Sequence, residues 1–270
     1  MINRSIPQLG MGTYRLQGEV AYKSVQMALD VGFRHIDTAQ IYGNEEDVGR
    51  AIAESSVARN DVFITTKVWN DKLSQKEFLP SVKQSLEKLK TDYVDLVLIH
   101  WPSPQGGEPM QEYLGELLKA QQEGLAKQIG VSNFTIAQTQ QALDILPAGA
   151  LATNQIEVHP YLTNDALRDY CHINQVQVTG YMPFAVGKVL QDKTIISIAE
   201  KYRATPAQIV LAWSLSQDMV TIPSSTKRGN LEANFSAQEI QLETDDVAAI
   251  SALNCGDRQA NPDFSPEWNQ

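Results

Sequence analysis

Short apolar stretches and helix-patterned stretches alternate eight times along this chain, and that alternation leaves very few folds open to it. The pairs run Leu9–Thr13 with Val20–Asp30, Arg34–Asp37 with Glu45–Glu54, and Val62–Lys67 with Ser74–Leu89. Next come Asp95–His100 with Met110–Glu123, Lys127–Ser132 with Thr135–Leu146, and Asn154–Glu157 with Thr163–Ile173. Gln177–Tyr181 precedes two helical stretches, Asp192–Tyr202 and Pro206–Ser216, and Val220–Ile222 precedes a short one near Asn230–Phe235. Runs such as Val94-Asp95-Leu96-Val97-Leu98-Ile99 suit parallel strands covered on both faces. Thr205-Pro206 reads as an N-cap followed by proline in the first turn, and Gly124 as a helix stop. A further helix is predicted at Asp245–Leu253, and Gly256–Gln270 reads as an irregular surface segment.

No linker or composition shift interrupts the pattern. The predicted architecture is therefore a single α/β domain over residues 1–270, a (β/α)8 TIM barrel with an extra C-terminal helix and an irregular tail. A doubly wound open sheet alternates in the same way and is the alternative. No apolar run approaches the roughly 20 residues that span a bilayer. The start, Met1 to Pro7, lacks the apolar stretch of a secretory signal. Cys171 and Cys255 lie far apart, without metal-binding spacing, and read as idle thiols. These points predict a cytoplasmic protein with no membrane partner and no metal. A formal charge of −10 argues against nucleic acid, whose phosphates require a basic surface. An anionic cofactor would have to be held by local donors.

In a βα barrel, the C-terminal ends of the strands surround the functional site. Those ends here are Asp37, Lys67, His100, Ser132-Asn133, Gln155 with Glu157, Tyr181, and Pro223-Ser224-Ser225, with Tyr42 just beyond Asp37. Each has an ordinary structural use. Asp37 could cap the next segment, Lys67 could reach water, Tyr42 could be half-buried, and His100 could sit satisfied in the core. Together on one rim they suit proton transfer. A phenol near pKa 10 holds its proton too firmly, and an ammonium beside it favours the phenolate. A buried ammonium in turn needs a carboxylate. Asp37, Lys67 and Tyr42 would then make a general acid with a lowered pKa, and His100 would orient a substrate oxygen. Protonating an oxygen as a carbonyl is reduced requires a hydride source, which implies a nicotinamide cofactor.

At these residues the chain resembles the aldo-keto reductases. Gly32-Phe33-Arg34-His35-Ile36-Asp37-Thr38-Ala39-Gln40-Ile41-Tyr42-Gly43-Asn44-Glu45 is similar to that family's first signature. Thr65-Thr66-Lys67 and Leu98-Ile99-His100-Trp101-Pro102 match its lysine and histidine segments. Lys127 to Phe134 resembles its second signature, and Asn154-Gln155-Ile156-Glu157-Val158-His159-Pro160-Tyr161 a further stretch. The resemblance implies a catalytic set of Asp37, Tyr42, Lys67 and His100, with Tyr42 as general acid. It also implies a nicotinamide carboxamide held by Ser132, Asn133 and Gln155, with the ring stacked on Tyr181. Thr13, Ser225, Lys227, Arg228 and Asn234 complete the implied cofactor contacts. Gly10-Met11-Gly12 lacks the third glycine of a dinucleotide fingerprint and suits a tight first strand instead.

The third signature departs from the family. A lysine usually follows Ile-Pro, with an arginine six residues later; here Ser224 and Asn230 stand there. Lys227 and Arg228 are nearby and would supply the charge for a 2′-phosphate, so NADPH is the expected cofactor. Tyr14, Trp69 and Trp101 adjoin strand ends and would wall the substrate pocket, with Trp268 of the tail joining them. The short Ser103–Pro109 loop predicts an open site. These features are most similar to the 2,5-diketo-D-gluconate reductases of the family, which also take methylglyoxal and other small aldehydes. A monomer acting on a small carbonyl substrate is expected. The alternatives are a lyase using Lys67 as a Schiff base and a non-catalytic nucleotide-binding barrel.

Overall fold

Eight parallel strands pair in strict chain order, which is the arrangement that successive βα units produce. The computed structural model describes residues 6–268, so most of the Met1–Pro7 stretch falls outside the described residues. The strands are β1 (Met11–Gly12), β2 (His35–Asp37), β3 (Phe63–Val68), β4 (Val94–Ile99), β5 (Ala126–Ser132), β6 (Leu151–Glu157), β7 (Gln177–Tyr181) and β8 (Val220–Thr221). The intervening helices are α1 (Gly18–Val31), α2 (Glu45–Ala53), α3 (Phe78–Lys88), α4 (Met110–Gln122), α5 (Ile136–Ile145) and α6 (Asp165–Ile173). Then come α7 (Lys193–Tyr202), α8 (Pro206–Leu215), α9 (Arg228–Ser236) and α10 (Thr244–Ser251).

The ring closes between the first and last strands. Leu9 bridges Thr221 in parallel, the Gly10 amide donates to the Thr221 carbonyl at 2.9 Å, and the Thr221 amide donates to Gln8 at 2.7 Å. This closure explains the two glycines. A Cβ on Gly10 would stand 2.7 Å from His35 Nδ1, and one on Gly12 would stand 2.8 Å from the Ile222 carbonyl. β1 is accordingly shorter than the Leu9–Thr13 stretch.

Alternation along the strands grades the barrel interior from apolar to charged. Phe63, Leu96 and Leu98 form a small apolar cluster of their own. Two residues along from Phe63, Thr65 bonds His35 Nε2 at 3.0 Å, and two further on lies Lys67. Outside the ring, Val25, Leu29, Val82, Leu117 and Trp213 of the helices pack against the strands' other face. Helix starts follow local chemistry: Thr135 with Gln138 and Thr205 with Gln208 form capping boxes, the latter with Pro206 in the first turn.

Element bounds differ from the sequence reading in places, α3 for example beginning at Phe78 rather than Ser74. α9 begins at Arg228 rather than Asn230. A 3-10 turn at Gln40–Tyr42 follows β2, and another at Ala185–Gln191 precedes α7. Neither carries an amphipathic period long enough to register in sequence. No helix among the described residues is long and apolar enough to cross a membrane.

Candidate active site

The strand ends open into one cavity of about 900 Å³. At its floor, β2 and β3 bring Asp37 and Lys67 together, since Asp37 pairs in register with Thr65, two residues before Lys67. Lys67 Nζ donates to Asp37 Oδ1 at 2.5 Å, to the Thr38 carbonyl at 2.9 Å and to Tyr42 Oη at 3.4 Å. The other Asp37 oxygen accepts from Gln155 Nε2 at 2.8 Å. Asp37 and Lys67 are sealed from solvent, where a charge persists only if paired and bonded in this way.

Tyr42 is delivered by the 3-10 turn at residues 40–42, which Gly43 ends in the left-handed region at φ 68°. Gln17 Nε2 donates to the Tyr42 carbonyl at 2.6 Å. Asn44, fully buried, donates to the Thr13 and Leu16 carbonyls at 2.9 Å and accepts from the Thr38 hydroxyl at 2.7 Å. The loop is thus tied at both ends. His100, at the end of β4, sets its ring edge-on to Tyr42 and to Trp69, with centroids 5.6 and 5.0 Å away.

The surroundings do not lower the Tyr42 phenol as the sequence reading expected. Burial raises its pKa well above the usual value, and the Asp37 carboxylate raises it further. The physical reason is burial first, which leaves a phenolate poorly solvated, and then the nearby Asp37 carboxylate, which repels a second negative charge. Burial likewise lowers Lys67, with Asp37 opposing the change. Burial first, and then the Lys67 charge, hold His100 well below its usual value, so the imidazole is neutral at pH 7. Its Nδ1 has no partner among the described residues.

The amide-bearing residues gather along the wall. Ser132 Oγ donates to the Gln155 carbonyl at 2.7 Å, and Asn133 Nδ2 donates to the His100 carbonyl at 3.0 Å and to Ser132 Oγ at 3.1 Å. Tyr181 Oη donates to Asn133 Oδ1 at 2.7 Å. Ser132, Asn133, Gln155 and Tyr181 all line the cavity together with Asp37, Tyr42 and His100. Tyr14, Trp69 and Trp101 line it too, and Tyr14 approaches the Tyr42 ring at 5.1 Å.

Other expected residues lie apart. Thr13 is fully buried and spends its hydroxyl on the Asp37 carbonyl at 3.0 Å. Asn234 is buried in α9, and neither it nor Thr13 belongs to the cavity lining. Half-buried Ser225 and exposed Lys227 sit on the β8–α9 turn and exposed Arg228 opens α9, all three outside the cavity, whereas Ser224 lines it. Ser225 Oγ accepts from the Lys227 amide at 3.2 Å, and Arg228 pairs with Asp30 at 3.0 Å and Glu232 at 3.7 Å. Lys67 offers no amine to a Schiff base: its three hydrogens are spent on Asp37, Thr38 and Tyr42.

Sequence reasoning missed part of the outer wall. Gln259, Ala260, Asn261, Pro262 and Phe264 of the tail line the cavity, as do Phe184, Val186 and Leu190 around the 185–191 turn. Phe264 packs edge-on against Trp69 and Trp101, at 5.8 and 5.5 Å. Trp268 stands 6.0 Å from Trp101 but is not among the cavity's lining residues, so it backs the wall from behind rather than joining it as expected. The interleaved Pro262, Phe264, Pro266 and Trp268 were the available signal.

The profile of the Aldo/keto reductase family matches residues 8–254. The chain is 50% identical to the methylglyoxal reductase DkgB of Escherichia coli O157:H7 over 98% of its own length and 100% of that protein. It is 39% identical to the glyoxal reductase of Bacillus subtilis strain 168, covering 96% of this chain and 93% of the relative. The solved structure of the aldose reductase from Schistosoma japonicum superposes with a TM-score of 0.92 at 30% identity, covering 98% of this chain and 96% of that one.

Proposed function

The chain belongs to the aldo/keto reductase family, an NAD(P)H-dependent group of carbonyl reductases, and from that premise we propose that it uses NADPH to reduce small dicarbonyls and aldehydes, with Tyr42 as proton donor. The carrying observation is Lys67 Nζ, which bonds Asp37 and Tyr42 Oη at once beside the neutral ring of His100. The reduced nicotinamide supplies the hydride when bound. The chain's donor set fits that group: two side-chain amides and a serine lie on one wall, the Tyr181 ring borders them, and all share a cavity with Tyr42. In this reading Ser132, Asn133 and Gln155 hold the carboxamide and Tyr181 supports the ring.

Tyr42 enters the reaction as a neutral phenol, since burial and Asp37 keep its proton on. The substrate oxygen sits between Tyr42 Oη and the N–H of the neutral His100 imidazole, which orients it. As that oxygen becomes an alkoxide it turns into a far stronger base than a phenolate and takes the Tyr42 proton. The Lys67 N–H bond to Oη then stabilises the phenolate left behind. Asp37 keeps the ammonium in place, and Gln155 keeps Asp37 in place.

Relatives named for methylglyoxal and glyoxal reduction support a small dicarbonyl substrate, and the 2,5-diketo-D-gluconate group extends the class to keto acids. Preference for NADPH rests on Lys227 and Arg228. The whole chain acts here as one catalytic unit. Consumption of NADPH and of NADH with methylglyoxal, followed by absorbance for wild type and Tyr42→Phe, tests the proposal. Turnover undiminished in Tyr42→Phe would defeat the acid assignment, and equal use of both cofactors would defeat the NADPH preference.

A further inference from the structure

β6 ends on a carboxylate that this chemistry does not use. Glu157 is fully buried, and its Oε1 accepts from the Gln259 amide at 2.7 Å and lies 2.7 Å from His159 Nε2. Its Oε2 accepts from the Ala260 amide at 2.7 Å. Both amides belong to the irregular tail, more than a hundred residues along the chain. A buried carboxylate accepting consecutive backbone N–H groups makes strong, charge-assisted bonds.

A second set of contacts ties the flanks of the same segment. Asn164 donates to the Glu157 carbonyl at 2.7 Å and accepts from Arg258 at 3.3 Å. The Arg258 guanidinium stands 3.8 Å over the Trp268 ring, whose Nε1 donates to Asn261 at 2.8 Å. Between these ties, Phe264 closes against Trp69 and Trp101. The tail has no helix or strand to hold its course, so its position at the cavity depends on such anchors.

We propose that Glu157 is a positioning residue for substrate selection: its carboxylate pins the 259–264 segment as the outer wall of the cavity, so that Phe264, Trp69 and Trp101 admit small carbonyl compounds and turn away bulky ones. This rests on reading the cavity as the site of carbonyl reduction.

Glu157→Gln tests it. The amide keeps the side chain's size but turns one acceptor oxygen into an NH2 group facing a backbone N–H, so a latch bond is lost. Hydrogen exchange at Gln259 and Ala260 is expected to quicken by about tenfold or more. KM for methylglyoxal should rise about tenfold with kcat held within about threefold, and kcat/KM for a bulky aromatic aldehyde should gain relative to methylglyoxal. A purely structural role would lower the melting temperature and leave that ratio alone, which would overturn the proposal. So would unchanged exchange, or faster exchange with an unchanged ratio. Should the variant not fold, wild type decides: Gln259 and Ala260 amides should exchange about a hundredfold slower than the Asp263 amide, and equal rates would overturn the latch. A wild type that reduces no carbonyl compound would refute the reductase reading alone, because the exchange measurements do not depend on turnover.

Discussion

The floor of the cavity and the β8–α9 turn are both charged, yet they are built on opposite plans. On the floor, Asp37 and Lys67 are sealed, and Lys67's donors and Asp37's two oxygens all have partners. On the turn, Lys227 and Arg228 are exposed, and Arg228 is held by ion pairs to Asp30 and Glu232 that are themselves in solvent. The contrast follows from what each region would do. Shifting a proton needs fixed charges in a medium that screens them little. Holding a phosphate needs charges that can exchange one anion for another, so solvent and replaceable partners suit it.

The floor should therefore be brittle and the turn forgiving. The largest effect is expected from Tyr42→Phe, which removes the phenol's proton together with the oxygen that accepts from Lys67: kcat should fall by about 10³-fold, within the range for general acids, with the fold retained. Residual activity within tenfold of wild type would break the comparison at its strongest point.

Lys67→Met comes next. It leaves the Asp37 carboxylate buried without its cation, and the cost of a broken buried pair is about 3–5 kcal/mol. Adding Asp37→Asn should recover most of that stability in denaturant titrations while kcat stays depressed. A double variant no more stable than Lys67→Met would mean that the pair is not the electrostatic unit drawn here.

How far these regions could be foreseen follows the same division. Residues at the ends of regular strands were legible, because an eightfold alternation dictates where strand ends meet; Asp37, Lys67, His100, Gln155 and Tyr181 needed nothing more. The sign of the Tyr42 shift was not legible. It depends on how deeply the phenol is buried and on how near the Asp37 carboxylate stands, which are distances rather than spacings. Phe264 and the Glu157 latch were hidden for another reason: the tail has no period, and its partners on β6 lie about a hundred residues away. Lys227 and Arg228 could be found as charges, but not their prior engagement with Asp30 and Glu232.

On the turn, Lys227→Ala combined with Arg228→Ala should weaken NADPH by roughly tenfold or more, the size of one charged hydrogen bond, and leave NADH and kcat nearly unchanged. Fluorescence titration of both cofactors at two salt concentrations checks this. Equal losses for the two cofactors would place the phosphate elsewhere, while a loss that vanishes at high salt would sharpen the comparison by showing that the turn acts through screened charge.

The smallest effect is a pH dependence of stability that should follow the floor and not the turn. Burial holds His100 and His35 below their usual value of 6.5 in the folded chain. The unfolded chain therefore binds more protons than the folded one between the lowered values and about 6.5, so stability rises with pH across that window. The contribution is complete above 6.5 and is lost as the pH falls toward the folded values. Melting temperatures should accordingly decline from pH 7 to pH 5, and the decline should be shallower in His100→Gln, which has no proton to gain. Lys227→Ala, at an exposed position on the turn, should leave the slope as it is. A slope that is the same in His100→Gln as in wild type would mean that the imidazole is not held neutral by its burial, and the case for His100 as a neutral donor to the substrate oxygen would fall with it.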